Sequence, residues 1–188
     1  MHRIMRTLGC AALAVTAAAA AAAGQSLRQE RLVAPRLNEW KIGYYRANEQ
    51  QSIREEVPQG QTVDEWERMV TTQRFAGLAA RTSAAAYAHT VAIDAPSSCP
   101  GARVSRIVEV KLSGHAAARV RVDCPSNPAA AGQPETFLLL AVAGQQDMHV
   151  KQVAFRGGLG SADLPWAERF LSGVAFCAAD DRAPACAR

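Results

Sequence analysis

The chain has 188 residues, 49% of them hydrophobic and 20% charged, and a formal net charge of +4 at pH 7. That length supports one domain with a substantial core. Only Lys41, Lys111 and Lys151 are lysines, and acids nearly balance the arginines, a surface unlike the basic footprint of a nucleic-acid binder.

Arg3 and Arg6 precede an almost unbroken run of small apolar residues over 8–23. A basic start followed by such a run is the pattern of a secretory signal, with small residues suited to cleavage at 21–24. The run is short and alanine-rich for a spanning helix. Residues 1–24 are therefore expected to be a cleaved signal peptide, with membrane contact only in transit. Cys10 lies at the start of the apolar run, with most of that run after it rather than before it, so lipid attachment is not expected. The remaining 164 residues carry 19 basic and 17 acidic side chains, a net charge of +2. They keep Cys99, Cys124, Cys177 and Cys186, an even number that in an exported chain implies disulfides. Three pairings are open, and spacing favours Cys99–Cys124 with Cys177–Cys186.

Residues 25–38 are polar, arginine-rich and interrupted by Pro35, and are expected to form a flexible tether before a single α/β domain over 39–188. Residues 40–46 and 52–57 read as two short strands around a polar turn, with Trp40, Ile42 and Tyr44 alternating against Lys41, Gly43 and Tyr45. Thr62 and Glu65 stand in the capping-box relation. Asp64 to Arg68 is an i,i+4 pair, and Val63, Trp66, Met69 and Val70 make an apolar stripe. A helix over 62–80 is predicted, with Trp66 as its core anchor. Thr82 and Ser83 open a second helix, rich in alanine, over 84–94, and Pro96 stops it. His89 is expected to be partly buried there.

Val104, Val108, Val110 and Leu112 alternate with polar residues. After the turn Ser113-Gly114-His115, so do Ala116, Ala118, Val120 and Val122. This predicts a hairpin with one apolar face. Centred on Gly114, it sets Val104 opposite Cys124 and brings Cys99 within reach. The loop over 125–134 leads to a continuous apolar run over 136–143, the mark of a strand covered on both faces. Gly144 to Asp147 turns that strand into another over 148–156. Ser161 or Asp163 then caps a last helix with Trp166, Phe170, Leu171 and Val174 inside, and Cys177 ends it.

The residues suggest little chemistry. His89, His115 and His149 lack metal-ligand spacing, and there is no HExxH or CxxC. The acids Glu55, Glu56, Asp64, Glu65 and Glu67 lack the geometry of a calcium loop. Ser113 beside His115, and Ser161 after a glycine cluster, have neither a nucleophile elbow nor an evident partner acid. Glycines 157, 158 and 160 ahead of a helix serve a strand-to-helix corner as well as an anion cradle. No cofactor and no metal are expected. Arg119 and Arg121, with Arg106 and Lys111 nearby, form a basic strip interrupted by Glu109 and Asp123.

Two groups of segments carry a resemblance. One is Val57-Pro58-Gln59-Gly60-Gln61-Thr62-Val63 running into Trp66, Met69 and 71–75. The other is Pro134-Glu135, Gly144 with Asp147, Gln152 with 154–156, and 166–177. Together they resemble small exported bacterial proteins of unknown function, and the order of elements is similar to that of PsbP-like domains. That group includes DcrB-like envelope proteins and a quorum-sensing-regulated virulence factor. The resemblance implies an α+β fold, a mainly antiparallel sheet of five or six strands packed with three helices as an α/β/α sandwich. It also implies a non-catalytic role as a binding or accessory factor in assembly or virulence, located in the periplasm or secreted. The expected partner is an envelope or secreted protein. Contact residues are expected among Tyr44, Tyr45, Arg119 and Arg121, where aromatics and charges rim a surface. The alternative is a periplasmic hydrolase with an unrecognised active site.

Overall fold

The structure is a computed structural model that describes residues 30–178 and Cys186. The expected signal over 1–24 and the start of the expected tether lie outside those residues. Among the described residues there are ten strands and two α-helices. The chain is α+β with antiparallel pairing throughout, but the expected five or six strands and three helices are corrected.

The alternating pattern after residue 40 produces the strands it predicts. β2 (Trp40–Ala47) and β3 (Gln51–Pro58) form a hairpin. Asn48 closes it: its Oδ1 accepts from the amides of Gln50 at 3.0 Å and Gln51 at 2.8 Å, the reach that makes asparagine a turn residue.

The largest departure from expectation comes after β3, where no helix forms over 62–80. The Glu65 amide donates to Thr62 Oγ1 at 3.0 Å as a cap would, but the Thr62 amide donates to the Glu65 backbone carbonyl, also at 3.0 Å. The Glu65 side chain takes no part, and the result is a closed turn. Arg68–Phe75 then extends as β4. Val70, Thr71 and Thr72 are consecutive β-branched residues, which lose side-chain freedom in a helix and suit a pleated sheet. Arg68, expected to pair with Asp64, instead reaches Asp163 at 2.6 Å.

β4 lies between β3 and β9 (Met148–Arg156), and β8 (Gln133–Ala143) and β7 (His115–Asn127) come next. The strand order is β2-β3-β4-β9-β8-β7-β5, with the two-residue β5 (Arg103–Val104) and β6 (Val108–Leu112) sharing β7. The Ser113-Gly114 turn, with φ of 50° and 84°, is the two-residue kind that sets register tightly. It places Leu112 opposite His115, and after the break at 105–107 Val104 faces Val122 rather than Cys124.

Alternation along β8 shows how the sheet is covered. Leu138, Leu140 and Val142 share a cluster with Ala167, Phe170 and Leu171 of α2 (Asp163–Ser172). Leu139 and Ala141 share another with Ala84 and Ala88 of α1 (Ala84–Ser98). The helices therefore lie on opposite faces. Ser83 caps α1, accepting from the Ala86 amide at 3.1 Å. The helix runs past Pro96 to Ser98: the proline withholds one amide from the ladder and strains the turn before it, but does not block the residues after it. The Cys99 amide still donates to the Ala95 carbonyl at 2.8 Å. His89 is exposed rather than partly buried.

Residues 30–38, expected as tether, are part of the fold. β1 (Arg31–Val33) pairs with β10 (Ala175–Cys177), and Leu32, Ala34 and Leu37 pack on the α2-side core. Cys177 is accordingly in a strand, since Gly173 ends the helix. Both expected disulfides are present, Cys99–Cys124 and Cys177–Cys186. Two disulfides fit an oxidising environment. Among the described residues no helix is long and apolar enough to cross a membrane.

Candidate partner-binding edge

β2 ends the sheet. Among the described residues it pairs only with β3, and every one of its residues after Trp40 is exposed. An edge strand presents a row of unpaired amides and carbonyls, a template for another strand. This edge also carries large apolar side chains, with Ile42 58%, Tyr44 39% and Tyr45 64% exposed.

A bulge at Gly43 sorts these side chains. Ile42 stands opposite Glu56 and Tyr45 opposite Arg54, while Lys41, Tyr44 and Arg46 stand opposite Val57, Glu55 and Ile53. Ile42 and Tyr45 thus share the α2 side of the sheet, and Lys41, Tyr44 and Arg46 the α1 side. Glycine is required at the bulge: a Cβ there would meet Val63 Cγ1 at 2.8 Å and Val57 Cγ2 at 3.3 Å. Neither Lys41 nor Arg46 forms an ion pair among the described residues, whereas Arg54 and Glu56 of β3 pair with each other at 3.1 Å.

The expected contact residues fall into two separate places. Tyr44 and Tyr45 are on the β2 edge. Arg119 and Arg121 are on β7, five strand spacings or about 24 Å away. Both arginines are engaged: Arg119 Nη1 lies 3.6 Å from Glu168 of α2, and Arg121 Nε donates to Asp123 Oδ1 at 2.8 Å. They line a recess of about 230 Å³ with Val108, Val110, Leu138 and Leu171. The face of β7 that carries these arginines is therefore partly covered by α2.

A larger cleft of about 850 Å³ opens between the 61–68 turn, residues 129–133 and the 156–163 corner. At its wall the Arg156 guanidinium lies over Trp66, 4.1 Å from the ring centroid, and its Nη1 donates to the Asp64 carbonyl at 3.0 Å. The lining offers carboxylates and guanidinium groups but no hydroxyl, thiol, imidazole or amine. It holds no hydroxyl or thiol nucleophile set beside a histidine or lysine base. Among the described residues no group of three or more His, Cys, Asp or Glu is placed to hold a metal ion.

The burial of two titratable groups, His149 and Lys151, was not legible in the sequence, because both alternate with apolar residues along β9 as the outward side chains of a half-covered strand would. His149 Nε2 lies 3.7 Å from Glu30 Oε2, and burial holds the imidazole below its ordinary range against the pull of Glu30 and Asp147. Lys151 is 2% exposed, and its Nζ donates to Thr72 Oγ1 at 2.6 Å. Burial lowers its pKa from 10.5 to about 8, with Glu56 opposing and Arg54 assisting. The folded state therefore holds this proton less tightly than the unfolded chain, so stability from this group rises as pH climbs from about 8 to about 10.5. Lys151→Met is expected to raise stability at pH 7 by about 1–2 kcal/mol, since it removes a buried charge at similar volume. The advantage should shrink as pH approaches 10.5. Urea unfolding of both proteins at pH 7 and pH 10 checks this, and an equal gap at the two values would contradict it.

No family model matches the chain, and no curated protein matches it. Several solved structures share part of its shape. A Pseudomonas aeruginosa protein of unknown function is 18% identical, with 77% of this chain and 92% of that chain covered and a TM-score of 0.49. A point variant of the protein Mog1 is 8% identical, covering 76% and 89%, with a TM-score of 0.46. The Saccharomyces cerevisiae Ran-binding protein Mog1p is 8% identical, covering 78% and 93%, with a TM-score of 0.46. All three fall below a TM-score of 0.5, so the similarity carries no functional argument.

Proposed function

We propose that this chain is an exported, non-catalytic accessory protein that binds a protein partner by accepting an extended segment along β2. The observation that carries this reading is the open edge itself: eight residues long, exposed, and bearing Ile42, Tyr44 and Tyr45. Strand addition draws affinity from main-chain hydrogen bonds and specificity from alternate side chains, and this edge supplies both. The basic and apolar run over 1–23 and the two disulfides support export to the periplasm or beyond. Such a location implies an envelope or secreted partner. Helices on opposite faces of the sheet support placing the fold with the PsbP-like α/β/α sandwiches.

The test is capture from the native envelope with the wild-type protein and with an Ile42→Glu/Tyr45→Glu variant. Both side chains are exposed, so the thermal midpoint should move by less than about 2 °C, as surface changes do. Capture of a protein partner by the wild type and its loss in the variant is the expected result. Equal capture by both proteins would place the contact elsewhere. Turnover of an envelope substrate by the purified protein would overturn the non-catalytic reading.

A further inference from the structure

We infer that the segment received by β2 is an acidic, amphipathic strand of another protein, with its carboxylates about four residues apart on one face and apolar side chains on the other. This inference rests on the edge-binding reading above and adds the chemistry of the occupant.

The two faces of the edge differ in kind. On the α1 side stand Lys41, Tyr44 and Arg46, and on the α2 side Ile42 and Tyr45. No acid lies within Trp40–Ala47. Glu39 precedes the strand with a φ of 61°, in the left-handed region and out of line with the extended backbone. The edge therefore presents two cations without ion-pair partners among the described residues, an aromatic ring between them, and an apolar reverse side.

A second copy of the chain fits this edge poorly. Two β2 strands paired antiparallel in the centred register, Ile42 across from Tyr45, would set Lys41 against Arg46 at both ends. Like charges directly opposite each other destabilise a sheet. Lysine on an edge and a bulge within it are also devices by which edge strands resist pairing with their own kind.

An acidic strand turns the same charges into cross-strand attraction. Its spacing can be read from β3, which already lies along β2. Lys41 and Arg46 are five residues apart because of the bulge, yet their partners Val57 and Ile53 are four apart. A regular strand on the outer side would thus bring carboxylates four residues apart to the two cations. Its central residue on that face would meet Tyr44, and its alternate residues would pack on Ile42 and Tyr45. Opposite-charge pairs across strands favour pairing and like charges oppose it, which biases the choice of partner.

The experiment uses the disulfide-intact mature protein and a displayed library of random twelve-residue peptides. Enriched peptides are synthesised, their affinities measured, and amide hydrogen exchange followed with and without them. The expected outcome is peptides with acids spaced four apart and alternating apolar residues, which protect the amides of Trp40–Ala47. A Lys41→Glu/Arg46→Glu variant should bind them about tenfold more weakly and should enrich basic peptides instead. Peptides that protect Trp40–Ala47 without a preference for acid would overturn this inference and leave the edge-binding reading standing. Enriched peptides that leave β2 unprotected, or no enrichment at all, would overturn both. A dimer in sedimentation with β2 protected in the absence of peptide would assign the edge to a second copy and overturn the inference as well.

Discussion

Trp66→Ala is expected to lower the free energy of unfolding by about 3–5 kcal/mol, the usual cost of emptying a buried aromatic site. Trp66 is 8% exposed and packs with Val57, Met69 and Ala154 in a cluster of its own. Its outer face supports the Arg156 guanidinium, whose buried Nε has no hydrogen-bond partner in the structure. Removing the indole leaves a cavity on one side and, on the other, takes the stacking partner from Arg156, which keeps only its Asp64 and Glu135 contacts. The Arg156 strand β9 is central, next to β4 and β8, so the loss should register as global destabilisation rather than local fraying. Urea unfolding measures it. A change below about 1 kcal/mol, at the scale of surface substitutions, would mean that Trp66 is not a core residue.

Cys99→Ala/Cys124→Ala is expected to cost about 3 kcal/mol, the chain-entropy value for a loop of this length. The cysteines are 25 residues apart, and the bridge ties the C-terminal end of α1 to β7. The fully buried positions of α1 are the small residues Ala84, Ala88 and Ala95, with Tyr87 and Val91 packed more shallowly. Without the bridge its amides should exchange faster than those of β8 and β9. Unfolding curves that superimpose on those of the wild type would show that α1 is held by packing alone.

Trp66 also illustrates what was legible. Its burial could be read from the apolar stripe of Val63, Met69 and Val70, but the element could not. The same four residues satisfy helical spacing and, equally, a turn followed by a strand buried on both faces. Capping chemistry decided for helix because Thr62 and Glu65 look alike in a cap and in a closed turn. The β-branched run at 70–72 and the pairing of β4 between β3 and β9 decided for strand, and that pairing is invisible locally. The β8–β9 hairpin was legible because the continuous apolar run over 136–143 and the polar turn after it agree. The tether was misread because its apolar residues, Leu32, Ala34 and Leu37, acquire partners only when β10 lies alongside.

Of the candidate site, the sequence offered Tyr44 and Tyr45 as aromatics among charges, and the structure puts both on an open edge. It could not separate them from Arg119 and Arg121, because sheet order, not chain order, sets the distance between β2 and β7. Ile42 joins Tyr45 on one face only through the bulge at Gly43, and no alternation rule reveals a bulge.

Amide hydrogen exchange across Trp40–Ala47 tests the proposed binding edge most directly, measured on the free protein and on the same protein within the complex captured from the native envelope. The account expects the β2 amides to exchange at least about tenfold more slowly in the complex, the scale of added main-chain hydrogen bonds, while those of β7 keep their rates. Unchanged exchange along β2 in an intact complex would contradict it.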